Sequence, residues 1–277
     1  MSDQHIADLA DLFTFQDGRR VQDANGWQAR RRELRETILN VEYGGLPPTP
    51  AGVTGEQLHV HQSKQLGADA WMYQYRVVNQ DHPSFHFRLD LYVPTREDKG
   101  PFPVVLTGDG CYRFANDALP AILARGIMLA QFSRVEVVPD VYNSNRDQGL
   151  YLAYPDHTFG ALAGWAWGFH RCVDVLCALA FVDKNRIAVT GHSRGGKAAL
   201  LAGATDDRIA LTAPNGSGAG GAAAGRARGG RPVSAHVEAG ARPAPQPRVR
   251  AALVAAGAAP GGPGAVHGGG PRRAARR

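Results

Sequence analysis

The chain has 277 residues, 44% of them hydrophobic, which is enough for one large α/β domain or for two small domains. Its formal net charge is +6, but residues 221–277 contain ten Arg and one Glu, which leaves 21 basic and 24 acidic groups in residues 1–220. A uniformly basic surface is therefore excluded, and residues 1–220 have the composition of a mildly acidic globular domain.

The elements predicted in the first hundred residues are one helix and three strands. Apolar residues at helical spacing, Leu34, Ile38 and Val41, predict a helix over residues 27–43 that ends before two glycines. Alternating, aromatic or β-branched patterns then predict strands at residues 57–62, 71–78 and 85–93. We expect these three strands to pair antiparallel at one end of a sheet.

From residue 103 the pattern changes to short apolar runs that alternate with helical segments. Strands are predicted at residues 104–106, 127–132, 187–189 and 209–211, with helices over about 162–181 and from 194 to about 204. One buried stripe is expected on the longer helix, formed by Leu162, Trp165, Phe169, Val173, Leu176 and Ala180. The strand–helix–strand order implies a parallel sheet, so the predicted fold class is α/β.

The sequence VTGHSRGGKAAL, residues 189–200, fits two catalytic patterns at the predicted turn from strand to helix. It contains the G-x-S-x-G turn that exposes a nucleophilic serine, here Ser193. It also contains G-x-x-x-x-G-K, but Ala198 stands where a phosphate-binding loop needs a Ser or Thr for Mg²⁺. The pattern therefore favours a serine hydrolase, in which the N–H of Arg194 is the first expected donor to the oxyanion.

The same region resembles a known family. Ser193-Arg194-Gly195-Gly196-Lys197 and the following AGATDDRIALTAPNGSGAGG resemble the glucuronoyl esterases and their bacterial relatives, which are carbohydrate esterases of the α/β-hydrolase fold. FGALAGWAWGFHRCVDVL and GDGCYRF resemble that family's helix before the nucleophile strand and its loop after the third core strand. The resemblance covers about residues 103–221 and implies a mostly parallel central sheet flanked by helices.

The resemblance also implies roles for three residues. Ser193 would form an acyl-enzyme with a carbohydrate ester, either a uronate methyl or alkyl ester or an acetylated sugar. Arg194 would bind the oxyanion through its backbone and guanidinium group, and Lys197 would contact sugar hydroxyls. Two positions depart from the family pattern, because His192 stands where Cys is usual and Gly216 stands where some members carry the triad acid.

A serine nucleophile also needs an acid and a histidine base, which in this fold follow the serine in that order. The candidates after residue 221 are His236, Glu238 and His267, and only Ser193, Glu238 and His267 have the required order. No strand is predicted there to hold these side chains within hydrogen-bond reach of one another. We therefore expect this chain to be inactive or impaired, although the family consists of serine esterases.

Residues 221–277 contain 17 Ala, 12 Gly, 10 Arg and 7 Pro, with too few large apolar side chains to form a core. The composition predicts a disordered low-complexity tail, and, because all four abundant residue types have GC-rich codons, we favour the hypothesis that this tail is translated out of frame. The predicted organisation is an α/β-hydrolase core over residues 1–220, incomplete at its C-terminal end, followed by this tail. Within the core, the helix and antiparallel strands extend to about residue 100, and the nucleophile-bearing part covers residues 101–220.

Several other residues near the motif receive structural interpretations. Asp109, between two glycines, is predicted to be a solvent-facing turn residue, with the alternative that it positions a loop donating a second oxyanion N–H. His192 is expected to pack or to line the pocket. Cys111 is interpreted as a small buried thiol, and Trp165 and Trp167 are interpreted as core or lid aromatics of a helix. His157 and His170 are interpreted as surface or hydrogen-bonded histidines.

Two other function classes stay open at this point. One is nucleic-acid binding through the Arg-rich tail, with GRARGGRP as its best segment, although no aromatic residue is interleaved to stack bases. The other is a non-catalytic α/β-hydrolase-like binding protein. The ester substrate is expected to be a small molecule or an oligosaccharide, and no cofactor or metal is implied.

The cellular setting is predicted from the three cysteines and the first twenty residues. Cys111, Cys172 and Cys177 do not form a disulfide pattern, and reduced thiols fit the cytoplasm. The start of the chain shows no secretory signal, and no apolar run reaches the length of a membrane span. A cytoplasmic protein without a membrane partner is therefore expected.

Overall fold

The computed structural model describes residues 11–63, 69–95, 100–112, 118–142 and 146–222. The predicted tail, from residue 223 on, lies outside the described residues, together with His236, Glu238 and His267. Within the described part of the chain, no helix is both long and apolar enough to cross a membrane.

A mixed sheet of seven strands lies at the centre of the described residues. The strands are β1 (Val53–Ser63), β2 (Ala70–Asn79), β3 (His86–Pro94), β4 (Phe102–Thr107), β5 (Met128–Phe132), β6 (Val182–His192) and β7 (Leu211–Asn215). Their order across the sheet is β1-β2-β3-β5-β4-β6-β7. Strands β1, β2, β3 and β5 pair antiparallel, whereas β5, β4, β6 and β7 run parallel. The predicted antiparallel end and the predicted parallel part are both confirmed.

Helices cover both faces of this sheet. They are α1 (Ala24–Ile38), α2 (Leu119–Ala124), α3 (Arg134–Val137), α4 (Leu150–Ala153), α5 (Ala161–Ala178) and α6 (Arg194–Thr205). Side chains alternate between the faces along β5, because Met128 and Ala130 join the larger core whereas Leu129 joins a smaller one that contains α2. Helices α5 and α6 pack on each other and on β6. The α/β class is confirmed.

Helix α5 is buried on nearly all sides. Trp165, Phe169, Val173 and Leu176 of the predicted stripe are buried. The helix also contacts α3, α6, β1, β2 and β6, so its burial is not confined to that one face. The indole N–H groups of Trp165 and Trp167 donate to the carbonyls of Val138 and Pro48, each at 2.7 Å, which confirms both tryptophans as core residues. The helix ends at Ala178 rather than near residue 181, which leaves Ala180 exposed.

The first predicted helix differs from the structure in its last turn. Asp23 caps α1 by accepting the Gly26 N–H at 2.7 Å, and a π-helical turn, Leu39–Tyr43, follows the regular helix. A π-helical turn holds more residues than an α-helical turn and therefore rotates the side chains that follow. Tyr43 is buried and Val41 is exposed, so the inclusion of Val41 in the apolar stripe is wrong.

The strands on either side of α6 differ from their predicted bounds. Strand β6 continues to His192 and delivers the chain directly to Ser193. Strand β7 begins at Leu211 rather than residue 209, because the Ile209 N–H first closes a turn onto the Asp206 carbonyl at 3.2 Å.

His170 links the two largest helices of the parallel part. Its side chain is buried on α5, and its Nε2 lies 3.2 Å from the Ala202 carbonyl and 3.1 Å from the Thr205 hydroxyl on α6. The interpretation of His170 as a hydrogen-bonded structural residue is confirmed. Burial lowers the pKa of its imidazole from 6.5 to about 4, despite the nearby Asp206 carboxylate.

This depressed pKa predicts a loss of stability in mild acid. Above pH 6.5 the imidazole is neutral in both states, but below that value the unfolded chain binds a proton that the folded chain resists until about pH 4. Urea unfolding should show a decrease of roughly 1–3 kcal/mol between pH 7 and pH 5 from this group. His170→Gln should reduce that decrease, whereas His157→Gln, at an exposed histidine, should not. Equal pH dependence in all three proteins would contradict the assignment.

Candidate active site

Ser193 occupies a sharp turn between β6 and α6. Its backbone has φ 54° and ψ −117°, a conformation that costs a non-glycine residue about 1–3 kcal/mol. The Ser193 N–H donates to the Asn215 carbonyl at 2.9 Å, and the Ser193 carbonyl accepts the Lys197 N–H at 3.1 Å. Ser193 is exposed. The strand–turn–helix geometry expected of a nucleophile turn is therefore present.

The glycines around Ser193 are required by close backbone approaches. A Cβ atom on Gly191 would lie 2.5 Å from the Gly195 carbonyl group. A Cβ atom on Gly196 would lie 2.9 Å from the carbonyl oxygens of both Asn215 and Gly191. A Cβ atom on Gly195 would overlap the Asp109 carboxylate. The turn can close only where these side chains are missing.

Asp109 supports this turn from the buried side. Its carboxylate is buried, accepts the His192 N–H at 2.6 Å through Oδ2 and forms an ion pair with Arg134 through Oδ1. The prediction that Asp109 is a solvent-facing turn residue is wrong. Asp109 instead forms an isolated antiparallel bridge with Ser133, which draws the loop after β4 into the interior.

Arg134 is a residue of the site that sequence reasoning missed. Its guanidinium group lies between the rings of Tyr112 and Trp165, with its central carbon 4.9 and 4.8 Å from the two ring centroids. Burial lowers the pKa of Arg134, and the nearby Arg194 lowers it further, while Asp140 opposes both effects. No periodic pattern or motif in the sequence distinguishes this arginine from a surface arginine.

Asp140 joins Arg134 to the mouth of the site. Its Oδ1 lies 2.7 Å from Nη1 of Arg194, and its Oδ2 lies 3.7 Å from Nη2 of Arg134. The Tyr112 hydroxyl donates to Oδ2 at 3.4 Å. Arg194, Asp140, Arg134 and Asp109 thus form a row of alternating charges, called the charge ladder below. The ladder runs from the exposed Arg194 side chain to the buried Asp109 carboxylate, which accepts the His192 N–H.

His192 points away from the core. Its side chain is exposed, and Nδ1 lies 3.1 Å from the Oδ1 of Asn215. The expectation that His192 packs inside is therefore wrong, whereas a pocket-lining role stays a prediction. Asn215 contributes twice to this region, because its carbonyl accepts the Ser193 N–H and its side chain bonds His192.

Lys197 and Glu42 approach the same point beside the turn. Lys197 is half-buried in the first turn of α6, and Glu42 comes from the π-helical turn. A Cβ atom on Gly220 would lie 3.8 Å from Lys197 Nζ and 3.5 Å from Glu42 Oε1. Glu42 was not predicted as a site residue, and its only sequence signal was a helical segment that ends at two glycines.

The remaining candidates supply no nucleophile or base. Burial raises the pKa of the Cys111 thiol, which agrees with the predicted unreactive cysteine. His157 is exposed and its ring packs edge-on against Tyr154. No histidine follows Ser193 among the described residues, and the candidates Glu238 and His267 lie outside them. Within residues 11–222, where described, no group of three potential metal ligands is found.

The family model described as "Glucuronyl esterase, fungi" matches residues 77–238, which is more than half of the chain. The chain belongs to the glucuronyl esterase family. The matched residues include 221–238, so the similarity to the family extends past residue 221, where the amino-acid composition changes. The family resemblance predicted from the serine motif is confirmed.

A curated relative and two solved structures support this membership. A 4-O-methyl-glucuronoyl methylesterase of Podospora anserina is 33% identical over 218 residues, which cover 77% of this chain and 41% of that protein. The glucuronoyl esterase of Solibacter usitatus superposes with a TM-score of 0.67 at 29% identity, covering 79% of this chain and 67% of its own.

The second structure is a mutant glucuronoyl esterase of Sporotrichum thermophile in complex with methyl 4-O-methyl-β-D-glucopyranuronate. It superposes with a TM-score of 0.58 at 29% identity and covers 78% of this chain and 55% of its own. The α/β-hydrolase fold is thus confirmed. The chain spans about two fifths to one half of the length of the curated relatives it matches.

The buried Asp109–Arg134 pair predicts a large coupling between the two residues. Asp109→Ala should lower the free energy of unfolding by about 3–5 kcal/mol, because it leaves the Arg134 charge buried without its partner. Adding Arg134→Met should cost less than the sum of the single changes, since both charges are then removed. Urea denaturation of the four proteins measures this. Glu136→Gln, at an exposed carboxylate, serves as the control, and strictly additive losses would contradict the coupling.

Proposed function

We propose that this chain is a serine carboxylic-ester hydrolase that acts on a uronate methyl ester, with Ser193 as its nucleophile. The observation that carries the proposal is the strained, exposed turn at Ser193, held between β6 and α6. The Ser193 N–H donates to the Asn215 carbonyl and the His192 N–H donates to the Asp109 carboxylate, and these hydrogen bonds hold the strained turn, as expected where geometry serves chemistry. The activity named for the curated relative and the ligand bound to the Sporotrichum thermophile enzyme suggest the substrate class.

The reaction would proceed through an acyl-enzyme. Ser193 Oγ attacks the ester carbonyl, a new C–O bond forms, and methanol departs with the proton that the serine loses. Water then cleaves the acyl-enzyme, which releases the uronate and restores the hydroxyl. The Arg194 N–H lies in the first turn of α6, where backbone N–H groups have no intrahelical partner, and we assign it with the guanidinium to the oxyanion.

Lys197 would recognise the sugar. Its ammonium group converges with the Glu42 carboxylate on one point, which places donors and acceptors together as hydroxyl recognition requires. The smallest substrate in this proposal is a small-molecule uronate ester, and the alternative is an oligosaccharide ester.

The rate is expected to be low, because His236 and His267, which follow Ser193, lie in a segment whose sequence predicts no strand to hold a base within hydrogen-bond reach. A triad enzyme that loses its base retains about 10³–10⁴-fold acceleration from the oxyanion site and binding. In that state the serine is exposed and oriented but is not deprotonated efficiently.

Imidazole in solution provides a test of Ser193 that does not depend on a resident base. Methanol release from methyl 4-O-methyl-β-D-glucopyranuronate should be slow for the full chain and should rise with imidazole concentration. It should not rise beyond the buffer reaction in Ser193→Ala. Equal imidazole acceleration in both proteins would exclude Ser193 as nucleophile.

A second result would correct only the expected rate. Fast, Ser193-dependent turnover without imidazole would contradict the expectation of an impaired chain. It would indicate that His236 or His267 acts as the base. His267→Ala should then abolish that turnover if His267 is the base, and His236→Ala provides the matched comparison.

A further inference from the structure

The Asp140 carboxylate lies between two guanidinium groups, one exposed to solvent and one buried. Arg194 has a side chain 59% exposed, whereas the side chains of Arg134 and Asp140 are 4% and 10% exposed. The Asp140 carboxylate therefore has one fixed, buried cation on one side and one surface cation on the other. Arg194 follows Ser193 directly, so Asp140 compensates a positive charge at the position where an ester would react.

The substrate and the product of the proposed reaction differ in charge. A uronate methyl ester is neutral at its reacting group, whereas the released uronate carries a carboxylate at the same position. A planar guanidinium binds a carboxylate bidentately and much more strongly than it binds a neutral carbonyl. An uncompensated arginine beside Ser193 would therefore hold the product more tightly than the substrate.

We propose that Asp140 is a specificity-determining residue that prevents Arg194 from retaining the carboxylate product. The inference rests on the proposed function. Asp140 engages Nη1 of Arg194 at 2.7 Å, which leaves one side of the guanidinium group for the transient oxyanion. Its negative charge opposes binding of the carboxylate product but not of the neutral ester, and it also screens the positive charge of Arg134.

Asp109 does not take this role, although it belongs to the same charge ladder. Its two oxygens bind Arg134 and the His192 N–H, and it is buried below the turn. Asp140 is thus the described carboxylate that contacts Arg194.

Binding measurements test the proposal without requiring catalysis. Titration calorimetry with the full chain compares methyl 4-O-methyl-β-D-glucopyranuronate with its free acid. Asp140→Asn should raise the affinity for the acid relative to the ester roughly tenfold, with ester affinity changed less than twofold. The increase should shrink at high salt, because the site is partly exposed.

Controls separate this effect from a general change of charge. Glu136→Gln removes one negative charge at an exposed position of helix α3 and should leave the ratio of affinities unchanged. Adding Arg194→Gln to Asp140→Asn should remove the gain. Asp140→Glu should keep the wild-type ratio. Asp140→Ser repeats the measurement if Asp140→Asn lowers the melting temperature.

Two outcomes would overturn the inference. An unchanged ratio, or equal weakening of both ligands in the neutral variants, would mean that Asp140 only anchors Arg194. Failure of the wild type to bind either ligand would instead reject the proposed function, and this inference with it.

Discussion

The buried carboxylate of Asp109 is the constraint on which the site depends. It follows β4, pairs with an arginine that follows β5, and accepts the N–H of the last residue of β6. The ends of three parallel strands are thereby joined through one side chain. A non-glycine residue at φ 54° persists only where its surroundings determine it, and Asp109 supplies much of that determination beneath Ser193.

Such a pair adds specificity more than stability. Desolvating two charges offsets most of their attraction, and an apolar pair of equal volume is often as stable. An apolar pair, however, could not accept the His192 N–H, which would then lose its hydrogen bond to Asp109. The charge ladder also fixes the positions of its charged groups. Arg134 contacts two aromatic rings, and Asp140 contacts Arg134 and Tyr112. An otherwise flexible Arg194 thus receives a defined partner.

Local patterns predicted most of the fold, because strands, helices and the serine turn are each encoded by neighbouring residues. G-x-S-x-G lies between an apolar run and a helical segment, and all three agree with the structure. The charge ladder could not be predicted in this way, since Asp109 follows β4 whereas Arg134 and Asp140 follow β5, and these residues meet only after the parallel strands align. Gly-Asp-Gly has the local composition of an exposed turn, and only the bridge to Ser133 shows that it is buried. The prediction for Val41 was wrong for a related reason, because the spacing of the apolar residues does not indicate a π-helical turn.

The geometry also separates two parts of serine catalysis along the chain. The turn, its supporting hydrogen bonds and the ladder use residues between 109 and 215, all within the described parallel part. Proton transfer in this fold depends on an acid and a histidine that come after the nucleophile. The support of the turn and proton transfer are therefore drawn from different parts of the sequence. In the proposed reaction the oxyanion would bind the Arg194 N–H and its guanidinium group, which Asp140 contacts at 2.7 Å. Because ligand binding and chemical rescue depend on this described part of the chain, they test the proposed site more directly than turnover does.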